Sequence, residues 1–421
     1  MGSERPKKIA LFGHFGTLNT GNEATLLAIV SRIRDLLPDC ELYCVCSIPP
    51  NVAATHKIEA IPHTVRSVRI WDTGVPLGRR LQTAASGLWE EVREYPRIWR
   101  TLKGTEMFVI PGTGALTDAF VLSGWGPYGV FKWSLMAKLR RCRVMFVSVG
   151  AGPLLTVRGK ALLSLSFALA DYRSYRDVPS SKAVRRLGFR AKDDRIYPDL
   201  VLGLTARSTS TEPVPKSRPV VGLGLMEYAA RYSVVNPLGF TYERYLESLA
   251  VFAHWLIDHE YDVKLLLGDA DEGVIDDFRR ELSTRYGPNT LEHVTYRQTD
   301  SVTDLLAELG STDFVVATRF HNVLLSILFN KPVIAVSFHQ KISSLMDEMG
   351  LSSYCHDLSQ IDGAILIEQF QDLVAHADDV RTLVPQRLEA SKCALEEQYE
   401  LLFGHGVISE AQAADIVLAS S

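Results

Sequence analysis

The strongest constraint on the fold is an alternation that runs along most of the chain. Short apolar runs, each the length of a buried strand, are followed by segments with apolar residues at helical spacing. In the first half the runs are 7–13, 41–47, 106–111 and 143–150. Between the first two, Leu26, Ile29, Val30, Ile33 and Leu37 recur on one helix face, and Pro38 stops that helix. Strands covered by helices on both faces read as continuous apolar runs. Alternation of this kind therefore predicts an α/β fold with a mostly parallel sheet. Further helices are expected over 128–140, 160–172 and 180–187, with a short strand at 174–177.

Residues 205–219 break the pattern with a polar segment holding three prolines, which reads as an interdomain linker. The pattern then restarts. Strands are expected at 220–225, 263–267 and 294–297, and helices at 242–259, 275–286 and 302–309. The tail over 364–402 is amphipathic and helical, and 408–419 reads as a last helix. Residues 48–105 are the least legible. Pro49, Pro50, Pro62, Pro76 and Pro96 punctuate them, and a helix over 81–103 is plausible. Arg66, Arg69, Arg79, Arg80, Arg93, Arg97 and Arg100 make this stretch basic, either as a solvated face or as an edge that meets an anionic acceptor.

A length of 421 residues suits two domains. The expected division is 1–204 and 220–421, two Rossmann-like domains facing across a cleft, a GT-B-like arrangement. Hydrophobic residues make up 47% of the chain and the net charge is -4. That balance argues against a nucleic-acid partner. The longest apolar stretch, 161–170, is too short to span a bilayer, and the start does not read as a signal peptide. The expected location is cytoplasmic, with any membrane contact peripheral. Six dispersed cysteines offer no ligand spacing, so neither zinc nor a disulfide framework is expected. Asp269, Asp271 and Glu272 read as a solvated acidic loop.

The chemistry concentrates in residues 314–351. Residues 314–317 read as a buried strand, 322–329 as a short helix and 333–338 as a second strand. Arg319 and His321 follow the first strand, and His339 and Lys341 follow the second. In open α/β sheets ligands bind at the carboxyl ends of the strands. Cations with a histidine suit a small polyanion and proton transfer. Each residue also has a bland reading, as a side chain satisfied by nearby carboxylates or by solvent. If the backbone stays extended through 319–321, Arg319 and His321 project to the same side. Near the start, Gly13, Gly16 and Gly21 let the backbone approach a ligand at a helix N-terminus. Their spacing is neither a dinucleotide fingerprint nor a P-loop. Thr20-Gly-Asn-Glu23 matches a capping box, which makes Glu23 a structural cap.

Four stretches together resemble the polysaccharide pyruvyltransferase family. Asn19-Thr-Gly-Asn-Glu-Ala24 is similar to its N-x-G-D-E-A turn, with Asn22 in place of Asp. Pro111-Gly-Thr-Gly-Ala-Leu-Thr-Asp118 is similar to its glycine-rich G-G-G-x-L-x-D, with Thr113 in place of Gly. Tyr175-Arg-Asp177 with Ser180 or Ser181 resembles its R-D-x-x-S before a helix. Thr318-Arg-Phe-His321 with Lys341 resembles its S-R-x-H and later K. The resemblance implies a GT-B-like fold and transfer of pyruvate from phosphoenolpyruvate to two sugar hydroxyls. The product is a ketal on a cell-wall or exported glycan. It implies that Arg319 and Lys341 hold anions and that His321 does acid/base work. Asp118 is then a candidate base or a helix cap, and His339 a further acid/base candidate. Gly16, Asn19, Gly21, Asn22, Gly112, Thr113, Gly114 and Arg176 are candidates to contact substrate, together with His339. No metal or cofactor is called for, with phosphoenolpyruvate as donor substrate. The acceptor is a sugar, a nucleotide sugar or a lipid-linked glycan. Two other readings stay open: a GT-B glycosyltransferase using a nucleotide sugar, and a non-catalytic glycan- or nucleotide-binding protein.

Overall fold

The computed structural model describes residues 6–17, 19–64, 91–113, 126–151, 156–188, 194–204, 217–227, 241–267, 272–299 and 301–404. They form two compact α/β units. The first is built from Met1–Thr17, Thr25–Leu200 and Cys393–Ser421, the second from Leu18–Ala24 and Val201–Lys392.

The first unit holds β1 (Lys8–Phe12), β2 (Glu41–Cys46), β3 (Glu59–Pro62), β4 (Met107–Pro111), β5 (Arg143–Val149), β6 (Tyr172–Tyr175) and β7 (Arg195–Ile196). They lie in the order β3-β2-β1-β4-β5-β6-β7, and every pairing is parallel. The second unit holds β8 (Val220–Gly224), β9 (Asp262–Leu266), β10 (Val294–Tyr296), β11 (Phe314–Ala317), β12 (Val333–Ser337) and β13 (Cys355–Asp357). Their order is β10-β9-β8-β11-β12-β13, again all parallel. Both sheets therefore reverse strand order once, between β1 and β4 and between β8 and β11. Such switch points are where open α/β sheets bind ligands.

The alternation of apolar runs holds because both faces of each sheet are covered. In the first unit Phe12, Phe108 and Trp133 are fully buried, with the Phe108 and Trp133 rings stacked at 6.2 Å. Each such side chain contributes roughly 1.5–3 kcal/mol by burial.

Several local expectations need correction. Pro49 and Pro50 do not break the chain but open the helix Pro49–His56, where proline's fixed φ suits the first turn. Lys57, left-handed at φ 52, closes that helix, and β3 follows. The helix expected over 160–172 is Val157–Leu169, capped by Thr156, whose hydroxyl accepts from the Gly159 N–H at 3.1 Å. It ends early because Tyr172 already belongs to β6. Of the helix expected over 81–103, residues 91–101 are helical and 81–90 lie outside the described residues. The helix expected over 408–419 and most of the 205–219 segment also lie outside them.

The tail forms the helices Gly363–Ala375 and Ala377–Phe403. Gln398 on the second is fully buried. Its amide donates to Ser174 Oγ at 2.6 Å and Tyr172 OH at 3.2 Å, and accepts from Ser148 Oγ at 3.0 Å. These bonds fix the end of the tail to β5 and β6.

Candidate functional site

In the second unit β11 and β12 pair in parallel, with Ala317 opposite Ala335. On this register β12 runs two residues past the end of β11, and each strand leads after two residues into a helix. These are Phe320–Leu328 and Gln340–Glu348, with Arg319 and His339 as the residues just before them. Arg319 is extended at φ -84 and ψ 132, but Phe320 is already helical and the Val323 N–H donates to the Arg319 carbonyl at 3.1 Å. The backbone therefore does not stay extended through 319–321, and period two does not place Arg319 and His321 on one side. The helix starts two residues before Asn322 because Phe320 is itself buried, extending the apolar face of FHNVLLSIL. The Arg319 side chain does not cap this helix. A helix N-terminus favours an anion.

Phe320 organises the cluster. Lys341 Nζ lies 5.1 Å from its ring centroid, a cation–π contact. The His321 ring meets the same ring edge-on, with centroids 5.0 Å apart. His321 also packs on Gly21 of the same unit. A Cβ at position 21 would sit 2.0 Å from both Cε1 and Nδ1 of the imidazole, so only glycine allows this approach. Gly21 lies in the first turn of the helix Thr20–Leu36. The Asn22 N–H donates to Asn19 Oδ1 at 3.1 Å, so Asn19 caps this helix, one residue earlier than the Thr20 of the expected capping box.

The other candidates of this edge have structural partners. His339 Nδ1 accepts from the Lys341 N–H at 3.2 Å and caps the helix Gln340–Glu348. Thr318 and Tyr245 hydroxyls lie 3.0 Å apart, and the Met226 N–H donates to Tyr245 OH at 3.2 Å, which fixes the loop before Arg319. Burial pushes the Tyr245 phenol up to about 12, so it stays neutral there.

Asn322 is a residue that sequence reasoning missed. It is fully buried, and neither Nδ2 nor Oδ1 has a hydrogen-bond partner among the described residues. Its Nδ2 faces Gly224 at the end of β8, close enough that a Cβ there would come within 2.8 Å. Such a group costs about 1–3 kcal/mol unless something satisfies it. The available signal was an amide inside an otherwise apolar helical run.

In the first unit the carboxyl edge of the sheet carries a second set. Gly16, at φ +80, is a turn glycine: its carbonyl accepts from Asn51 Nδ2 at 2.8 Å, and a Cβ would meet the Ile48 carbonyl at 2.2 Å. Gly112 packs on the Ser148 carbonyl, and the Thr113 carbonyl accepts from the Gly150 N–H at 3.3 Å. Arg176 lies across Gly150 and is ion-paired with Asp199 at 3.0 Å and Asp177 at 3.5 Å. Asp177 also caps the helix Val178–Arg185, accepting from the Ser180 N–H at 2.6 Å. Beside this set, Ser47 Oγ lies 2.5 Å from His14 Nδ1 and 3.1 Å from His63 Nε2. Burial, then the charges of His14, Lys132 and Arg97, push His63 down to about 4. Gly114 and Asp118 lie outside the described residues, as do Asp269 and Asp271 and the side chain of Glu272. Among the described residues no group of three His, Cys, Asp or Glu side chains is placed as metal ligands would be. Among them, too, no helix is long and apolar enough to cross a membrane.

A sequence model of the polysaccharide pyruvyl transferase family matches residues 19–340. The chain belongs to that family. No curated protein matches it in sequence. Solved structures match it in fold. A glycosyltransferase from Rickettsia africae is 10% identical over 94% of this chain and 98% of that one, with a TM-score of 0.60. The Anabaena protein HepE, solved with UDP and glucose, is 13% identical over 94% and 99%, at 0.57. A UDP-GlcNAc 2-epimerase from Neisseria meningitidis, solved with UDP-GlcNAc, is 10% identical over 93% and 99%, at 0.55. These likenesses show a GT-B fold. In this chain the matched span opens at Asn19, the helix cap beside Gly21, and contains Arg319 and His321. Lys341 falls one residue past its end.

Proposed function

We propose that the protein moves pyruvate from phosphoenolpyruvate onto two hydroxyls of a sugar as a ketal, in building a cell-wall or exported polysaccharide. The observation that carries this reading is the gathering of Arg319, His321 and Lys341 at the helix N-terminus that starts with Phe320, with Gly21 against the imidazole. Phosphoenolpyruvate carries a carboxylate and a phosphate. A guanidinium fork matches either one in two parallel bonds, and the helix N–H groups and the Lys341 ammonium suit the other. The Asn322 amide supplies one more fixed polar contact to a donor oxygen.

His321 is the acid that delivers a proton to the terminal methylene carbon. C2 becomes oxocarbenium-like and the first sugar hydroxyl adds to it. Phosphate then leaves with the electron pair of its C–O bond, and the second hydroxyl closes the ketal. Two hydroxyl protons are lost in all. One balances the proton placed on the new methyl group and the other leaves with phosphate. The reading requires no metal or cofactor.

Similarity to structures solved with UDP and with UDP-GlcNAc favours a sugar or nucleotide sugar as acceptor. The same similarity supports a second reading, a glycosyltransferase that uses a nucleotide sugar as donor. Thermal denaturation separates the two, because a ligand that binds only the folded chain raises its melting temperature. Phosphoenolpyruvate alone should raise it in the wild type and fail to do so in Arg319→Ala. A rise with UDP and none with phosphoenolpyruvate would favour the second reading.

A further inference from the structure

The helix Val157–Leu169 is apolar on more than its buried side. Leu163 and Phe167 face the core, yet Val157 is 82% exposed and Leu165 51% exposed. Ala161 and Ala168 are exposed as well. Positions 157, 161, 165 and 168 fall on one helix face, so they form an outward apolar stripe. Arg158 and Lys160 flank it, both exposed. The next helix, Val178–Arg185, starts with Val178, 49% exposed, and adds exposed Lys182 and Arg185, followed by exposed Arg186. Strands β5, β6 and β7 are consecutive neighbours, and right-handed crossovers put both helices on the same face of the sheet. Neither helix contains an Asp or Glu, although the chain as a whole carries a net charge of -4.

We propose that this face docks on an anionic lipid surface, with the Val157–Ala168 stripe in the headgroup boundary and the flanking cations against lipid phosphates. An amphipathic element of this kind lies in the interface plane and does not span it. Charge decides the occupant. A second copy of the chain, packed about a two-fold axis, would set these cations against their own counterparts. An anionic membrane complements them, and each Lys or Arg near such a surface strengthens binding roughly fivefold. This docking face lies on the first unit, and the proposal does not depend on the donor being phosphoenolpyruvate.

The test is flotation of the full chain with vesicles of phosphatidylcholine plus phosphatidylglycerol, beside vesicles of phosphatidylcholine alone. The chain should float with the first and not the second, and release at high salt. Val157→Asp with Leu165→Asp should abolish flotation, and Lys160→Glu with Lys182→Glu should weaken it at least tenfold. All four positions are exposed, and melting curves and the milder Leu165→Ser check that folding is intact. Failure of the wild type to float at low salt would overturn the proposal. So would flotation that survives the two Asp substitutions while an oligonucleotide competes for it, which marks general polyanion adhesion. A dimer in sedimentation that Leu165→Asp dissociates would also overturn it, by assigning the stripe to self-association.

Discussion

Replacing Gly21 by alanine tests how the imidazole of His321 is placed. The new methyl would sit 2.0 Å from two ring atoms, whereas ordinary contact begins at 3.4 Å. The ring must therefore retreat by about 1.4 Å or the helix start must move with it. A displacement of about 1 Å in a reacting group costs roughly 10²-fold in rate. Stability should change little, because alanine gains up to about 1 kcal/mol in helix propensity while overpacking costs about 1–3 kcal/mol. The assay is steady-state phosphate release from phosphoenolpyruvate with acceptor present, with a melting curve for each variant. We expect turnover to fall roughly 100-fold in a chain that melts near the wild-type temperature. The same substitution in a His321→Ala background should add almost nothing, since its effect acts through that ring. A full additional loss in that background would refute the reasoning, and so would unchanged turnover in the folded single variant.

Three further outcomes follow from the geometry. Asn322→Leu removes a buried amide without partners among the described residues, so it should raise the melting temperature by relieving about 1–3 kcal/mol while weakening phosphoenolpyruvate binding; loss of stability with intact binding would assign the amide a structural role. Arg319→Ala should weaken calorimetric phosphoenolpyruvate binding by about 10- to 150-fold, from a charge-assisted contact of about 1.5–3 kcal/mol, whereas His321→Ala should lower turnover by roughly 10²–10⁴ with donor affinity largely kept. His63 takes its proton near 6.5 in the unfolded chain but only near 4 in the fold, so the wild type should lose up to about 3 kcal/mol as pH falls through that window. Denaturant titrations of His63→Gln over the same range should be flatter by that amount, and parallel curves for the two proteins would contradict the assignment.

Much of the fold was legible because strands covered on both faces leave long apolar runs, as at β4, β5 and β11. What stayed hidden lacks such a run. β7 is only Arg195–Ile196, at the sheet edge with both residues exposed, and β3 is four residues, the first exposed and the other three half-buried. Pro49 and Pro50 carried a breaker's signature but occupy a helix's first turn, which local sequence does not separate from a loop. Around the candidate site, strand ends delivered Arg319, His321, His339 and Lys341 to one edge as their spacing implied. The helix start was misplaced because Arg-Phe-His reads as polar until Phe320 is seen to be buried. Asn19 and Thr20 are both good caps, and the observed bond from the Asn22 N–H to Asn19 Oδ1 shows Asn19 in that role. The Gly21–His321 contact joins residues far apart in sequence, so no local pattern could have announced it.

The most direct test of the proposed reaction is mass analysis of a sugar acceptor panel incubated with the protein and phosphoenolpyruvate, with inorganic phosphate measured in parallel. The account predicts an acceptor that gains the mass of pyruvic acid less water, with one phosphate released for each molecule modified, and both products formed roughly 10²–10⁴ times more slowly with His321→Ala. An acceptor that instead gains a sugar from a nucleotide sugar, with no phosphate released from phosphoenolpyruvate, would contradict it.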